Sequence, residues 1–175
     1  MSEDELSQAC SKVGRFLYEF ALVEDGINGC ITDILQLKGD AADVVAHSVD
    51  FFRKANLLRT VAMNTGPAAD RTKITKLFSA IAEQNNNRVM LAHSVFEPAE
   101  GGGVQFRRTV AKDGAVKKQD PLWTHKDFAA SYNRLQEICE QLKELRPTLV
   151  YTITEEGRTE ILSRYSYANT SWTGT

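Results

Sequence analysis

The feature that most constrains this chain is an apolar repeat near its N-terminus. Val13, Phe16, Leu17, Phe20, Val23, Ile27, Cys30, Ile31, Ile34 and Leu35 recur at the i, i+3, i+4, i+7 spacing of one helix face. That period belongs to an amphipathic helix, not a strand. A helix from about Asp4 to Leu37 would be about 45–50 Å long at 1.5 Å per residue, long enough to form one side of a bundle. Gly14, Gly26 and Gly29 weaken it intrinsically, but small residues also let a neighbouring helix approach. Lys38-Gly39-Asp40 ends it.

Three further helices are read in the same way. The second starts at Asp40 or Asp43 and reaches about Asn64. Its stripe is Val45, Val49, Phe52, Ala55, Leu58 and Ala62, and Thr65-Gly66-Pro67 stops it. The third starts near Ala68-Ala69-Asp70 on Ile74, Leu77, Phe78 and Ile81, and ends at Glu97-Pro98. The fourth spans about His125 to Arg146, with Phe128, Tyr132, Leu135, Ile138, Cys139, Leu142 and Leu145 at helical spacing, and Pro147 stops it.

Between the third and fourth helices the period changes to two. Glu100-Gly101-Gly102-Gly103 is a joint, Val104 to Val110 alternates, Lys112-Asp113-Gly114-Ala115 is a hairpin turn signal, and Val116-Lys117-Lys118 returns. The expected fold class is therefore all-α. It is a four-helix up-down bundle with a β-hairpin at about 100–120 inserted between the third and fourth helices. Residues 1–146 form the domain and 147–175 a short C-terminal extension. In that extension Leu149–Ile153 reads as a short strand and Thr152 with Glu155 as a capping box. The last residues are expected to be ordered only where a partner holds them.

Composition narrows the function. Of the 175 residues, 42% are hydrophobic, which suffices for one core. No apolar run approaches the roughly 20 residues that span a bilayer. The acidic start, Met1-Ser2-Glu3-Asp4-Glu5, excludes a basic-then-apolar signal peptide. A cytoplasmic protein with no membrane partner is expected. Cys10, Cys30 and Cys139 are odd in number and widely spaced, so they read as reduced thiols. No ligand cluster has metal spacing, and neither metal nor cofactor is expected. His47 reads as surface or stripe edge, and His125 as solvent-facing in the first turn of its helix. The net charge of −2 argues against a generic nucleic-acid coat, yet the charge is uneven. Residues 1–50 sum to −7, 51–118 to +7 and the remainder to −2. The basic middle is either an ordinary solvated surface or a field that draws a phosphate backbone.

One stretch breaks the helical rule. Gln84-Asn85-Asn86-Asn87-Arg88-Val89-Met90-Leu91-Ala92-His93-Ser94 places polar residues where the third helix's stripe should continue, and unpaired polar groups are costly there. Stepping by three and four from Ile81 lands on Gln84 or Asn85, then Arg88, Leu91, Ala92 and Val95, so Arg88 falls toward the apolar side. One reading is structural: Arg88 pairs with a carboxylate such as Glu24, and the Asn side chains satisfy helix ends. The other is chemical. Arg holds a phosphate with two parallel hydrogen bonds, and His exchanges protons near neutrality.

Arg88 and His93, with Val89-Met90-Leu91-Ala92 between them, form an Arg-x4-His motif that resembles that of the HEPN superfamily, a group of compact helical nucleotide- and RNA-associated domains. Ala92-His93-Ser94 is similar to the usual end of that motif, and the resemblance spans roughly residues 10–146. It implies a homodimer whose motif helices face each other across a cleft. In active members it implies a metal-independent endoribonuclease of toxin or defence type, restrained by an antitoxin or regulatory protein. Arg88 would hold the scissile phosphate and His93 would transfer the proton. Asn86, Asn87, Glu24 and Lys54 complete the candidate binding set. Val89 stands where the family's motif usually has a polar residue. A second reading therefore stays open: a non-catalytic helical module that binds a nucleotide, RNA or a partner protein. Positions five apart lie about 140° apart around a straight helix, so convergence of Arg88 and His93 calls for the long Arg side chain, a helix distortion or a second subunit.

Overall fold

The computed structural model describes residues 2–65, 70–112 and 115–152, the side chains of residues 47, 110–112 and 150–152 excepted. The first helix, α1 (Glu3–Leu35), begins with a capping box. Ser2 accepts from the Glu5 backbone N–H at 3.2 Å, and Glu5 accepts from the Ser2 N–H at 2.8 Å. Gln36, at φ 51°, ends it in the left-handed conformation, and Leu37 N–H reaches back to the Thr32 carbonyl. Its buried face, from Ala9 to Ile34, follows the periodicity read from the sequence.

The other helices are α2 (Asp40–Ser48), α3 (Phe51–Thr65), α4 (Arg71–Ala92) and α5 (His125–Thr152). Four strands, β1 (Val95–Ala99), β2 (Gly103–Lys112), β3 (Ala115–Gln119) and β4 (Leu122–Trp123), form one antiparallel sheet. The order is β1-β2-β3, with β4 also on β2. The protein is thus α+β, with five helices and a four-stranded sheet among its described residues, and the expected all-α four-helix up-down bundle with an inserted hairpin is overturned.

Three local causes account for the difference. The single second helix divides because Asp50 starts a new one: its carboxylate accepts from the Arg53 backbone N–H at 3.1 Å, and Val49 before it is extended. The third helix stops at Ala92 rather than Glu97, and the residues beyond it pair with β2 from Val95↔Arg107 to Ala99↔Gly103. Pro98 is tolerated there because β1 is an edge strand. Gly101 and Gly102, at φ 65° and 73°, make the tight return that β-carbons would strain. Finally, β3 and β4 continue one register along β2, from Lys112↔Ala115 to Val104↔Trp123.

The sheet belongs to the core. Val104 and Phe106 are fully buried, as are Phe16 of α1 and Phe128 of α5. Trp123 sits among them, its ring 5.8 Å from Phe16, 6.2 Å from Phe106 and 5.0 Å from Phe128. Phe96 and Phe106, opposite each other in the register, lie 5.9 Å apart. Aromatic groups at such spacings add about 0.5–1.5 kcal/mol per pair beyond the area they bury.

The α1–α5 contact is close, as small residues on α1 suggested. A β-carbon on Gly26 would stand 3.2 Å from Leu142 Cδ1, and one on Gly29 would stand 2.9 Å from Arg146 Nη1. Gly14 faces open space. Arg146 grips Asp33 with two hydrogen bonds, at 2.5 and 3.0 Å, and these hold the Asp33 carboxyl below its usual range. Pro147 does not stop α5. The helix runs on to Thr152, and the buried Leu149 beyond the proline offsets the lost backbone hydrogen bond. Helix therefore replaces the expected strand at 149–152. Ile153, the capping box at Thr152–Glu155 and the rest of the extension lie outside the described residues. His125 is exposed in the first turn of α5, and the His47 side chain is not described.

The three thiols differ in accessibility. Cys10 is exposed, Cys139 is half-buried, and burial pushes the Cys30 thiol up to about 11. Native protein treated with a disulfide reagent at pH 8 should therefore lose one thiol fast, Cys10, while Cys30 waits for unfolding. A Cys30 thiol pKa above the unfolded value also means that stability falls as pH rises from the ordinary thiol range toward 11. Rapid modification of all three thiols without unfolding would contradict this packing.

Candidate functional site

The end of α4 carries the motif. The helix is regular to Ala92, and its stripe continues through the buried Gln84 and Leu91. Arg88 lies between them and is half-buried, on the apolar side where the spacing put it. Its guanidinium carbon stands 5.9 Å from the centroid of the Phe20 ring of α1. Phe20 is itself fixed by Phe51 of α3, with ring centroids 4.8 Å apart. The cation thus rests on an aromatic face, an attraction of about 0.5–1 kcal/mol at exposed sites and more where water is excluded.

Glu24 does not pair with Arg88. One turn along α1 from Phe20, it accepts from Lys54 Nζ of α3 at 2.7 Å. Lys54 is only 1% exposed, and its ammonium also donates to the Ala46 carbonyl of α2 at 2.9 Å. This pair joins three helices. Among the described residues, no carboxylate lies within ion-pair distance of Arg88, so its charge stays available.

The remaining candidates spread along α4. Asn87 Nδ2 donates to Gln84 Oε1 at 3.4 Å, and Asn86 is exposed. His93 caps the helix, exposed and without a hydrogen-bond partner among the described residues. Ser94 Oγ donates to the Met90 carbonyl at 2.6 Å and closes the last turn. Thus Phe20 of α1 seats Arg88, and Glu24 one turn along seats Lys54, whereas Asn86 and His93 are exposed. No helix distortion brings His93 around to Arg88.

His93 leads into β1, and β1 pairs with a strand that carries another set of charges. Two residues on, Val95 pairs with Arg107 of β2. The strand then continues away from the core through Arg108, opposite Gln119, toward the pairs Thr109↔Lys118 and Val110↔Lys117. The signal for it was present in the sequence: residues 103–119 hold five basic side chains and one acidic.

Two surface grooves lie elsewhere. One, of about 590 Å³, runs between the start of α1 and the Glu100–Gly102 turn; the other, of about 440 Å³, separates α4 from α5 near Asp70 and Thr148. Neither is lined by Arg88 or His93. Among the described residues no group of His, Cys, Asp and Glu is placed to hold a metal ion, and no helix is long and apolar enough to cross a membrane. No family model, curated protein or solved structure matches the chain.

Proposed function

We propose that Arg88 and His93 serve a phosphodiester site of the HEPN type, and that the chain acts as a metal-independent endoribonuclease in a homodimer. The observation that carries this reading is the state of Arg88: a half-buried guanidinium held on Phe20, with no carboxylate to neutralise it among the described residues. Such a cation is positioned for an anion before the anion arrives, which is how charge developing in a transition state is stabilised most effectively. His93, exposed at the end of the same helix, is the proton-transfer group. The helix keeps the two side chains of one chain apart, and a twofold axis would place Arg88 of one copy near His93 of the other.

A specific observation also favours a second reading, an RNA-binding module that does not cleave. Val89 departs from the motif's polar pattern, and α4 is undistorted between Arg88 and His93.

The test is cleavage of single-stranded RNA in EDTA. We expect activity that falls about a hundredfold or more in either Arg88→Ala or His93→Ala, the scale of a lost proton-transfer group or anion donor. Mixing the two inactive variants should restore part of it if the site is shared between copies. RNA bound but not cut would favour the module. A monomer that neither binds nor cuts RNA would sink both.

A further inference from the structure

We infer that the distal β2–β3 ribbon is an RNA-backbone-binding arm that begins past the Val95 end of β1. This rests on the reading of Arg88 and His93 above for the choice of RNA, and on separate observations for the arm itself.

The first observation is where the ribbon leaves the core. On one face of β2, Val104 and Phe106 are fully buried, but Arg108, the next residue on that face, is only half-buried. All five residues of β3 are exposed, and Val116 is 70% exposed. An isolated two-stranded ribbon is marginal in water. This one is an extension of a packed sheet, so its root is fixed while its far half remains open to a partner.

The second observation is charge. Arg108 and Lys117 share one face, since their register partners, Gln119 and Val110, are each two residues from the other. Lys118 and Arg107 lie on the opposite face. Arg107 is answered by Glu97 across the β1–β2 pair. Among the described residues, Arg108, Lys117 and Lys118 have no such carboxylate. Both faces of the arm therefore present cations, and folding brings these like charges together at a cost that a polyanion would relieve. A cationic ribbon of this kind complements a phosphate chain rather than an apolar or acidic groove.

The third observation is position. The α4–β1 connection is only His93-Ser94, and Val95 is already in register with Arg107. Beyond Arg107 the ribbon passes the Val95 end of β1, where the two-residue link from α4 enters the sheet. The arm thus starts where α4 ends. The exposed aliphatic group on it, Val116, offers no ring on which a base can stack, so binding should be independent of sequence.

The experiment is fluorescence anisotropy of a 5′-labelled 20-nucleotide single-stranded RNA in EDTA, at several salt concentrations. It uses the full chain in an H93A background so that the RNA stays intact, with R108E/K117E/K118E as the test variant. The parent should bind, and the triple variant should bind at least about tenfold more weakly, with a log–log salt slope shallower by about two. Circular dichroism should show the parent's secondary structure, which separates lost binding from lost folding. Equal affinity and slope in parent and variant would overturn the arm, as would a parent that binds no RNA at low salt. If the His93-intact chain never cuts RNA yet the arm variant loses binding, the arm stands and the nuclease reading falls. If that chain cuts RNA and the arm variant binds it unchanged, only the arm falls.

Discussion

Phe106→Ala should destabilise the protein by about 3–5 kcal/mol, the cost of a large aromatic removed from a site that cannot collapse. Phe106 is fully buried, paired with Phe96 across β1–β2 and packed edge-on to Trp123. Its ring partners sit on β1 and β4, and Trp123 is in turn held by Phe16 of α1 and Phe128 of α5, so no single element can shift to fill the void. For a domain of this size the loss corresponds to a fall in Tm of roughly 6–20 °C. Val116→Ala on the exposed β3 should change Tm by less than about 2 °C, within the usual range of a surface substitution. Thermal unfolding followed by circular dichroism separates the two cases. Equal shifts would mean that the sheet is an appendage and not part of the core.

Glu24→Leu should cost about 3 kcal/mol, because it leaves the Lys54 ammonium buried with only the Ala46 carbonyl as partner. That figure is at the low end for a broken buried pair, since the Glu24 carboxylate is about a third exposed. Glu24→Leu combined with Lys54→Met should recover most of the loss, because well-packed apolar replacements of buried pairs are often neutral or stabilising. Urea unfolding of the wild type, both single variants and the double variant closes the cycle. A single Glu24→Leu variant as stable as wild type would show that the ammonium finds water elsewhere.

The same pair shows what the sequence could and could not disclose. Spacing by three and four located α1, the buried half of α4 and most of α5, because one face of each packs continuously. It put Arg88 toward the core, and Arg88 rests there on Phe20. One of the two readings of Arg88 offered Glu24 as a carboxylate partner, and Glu24 pairs with Lys54 instead. The predicted stripe holds over most of α3, where Ala55, Leu58 and Ala62 are buried, but Phe52 in the first turn faces out, 63% exposed, and Lys54, which the stripe did not include, turns inward to Glu24. β1 was hidden for another reason. Val95 continues the phase of Leu91, so the spacing reads on as helix although the backbone changes at His93. β4 is two residues long and too short to show any period. Its Trp123 belongs to the core only because β2 runs alongside it. Asn86, Asn87 and His93 were legible as polar exceptions. The arm's charges were visible only as a local excess, and their place past the Val95 end of β1 depended on the β1–β2 register.

That sheet is also closed to growth. Its two edges are β1 on one side and the β3–β4 line on the other. Each carries a proline, Pro98 within β1 and Pro121 between β3 and β4, and proline has no N–H to offer an incoming strand. Lys117 and Lys118 add charge to the second edge, a common guard against edge-to-edge pairing. The molecule therefore resists the commonest route by which a small sheet recruits another chain.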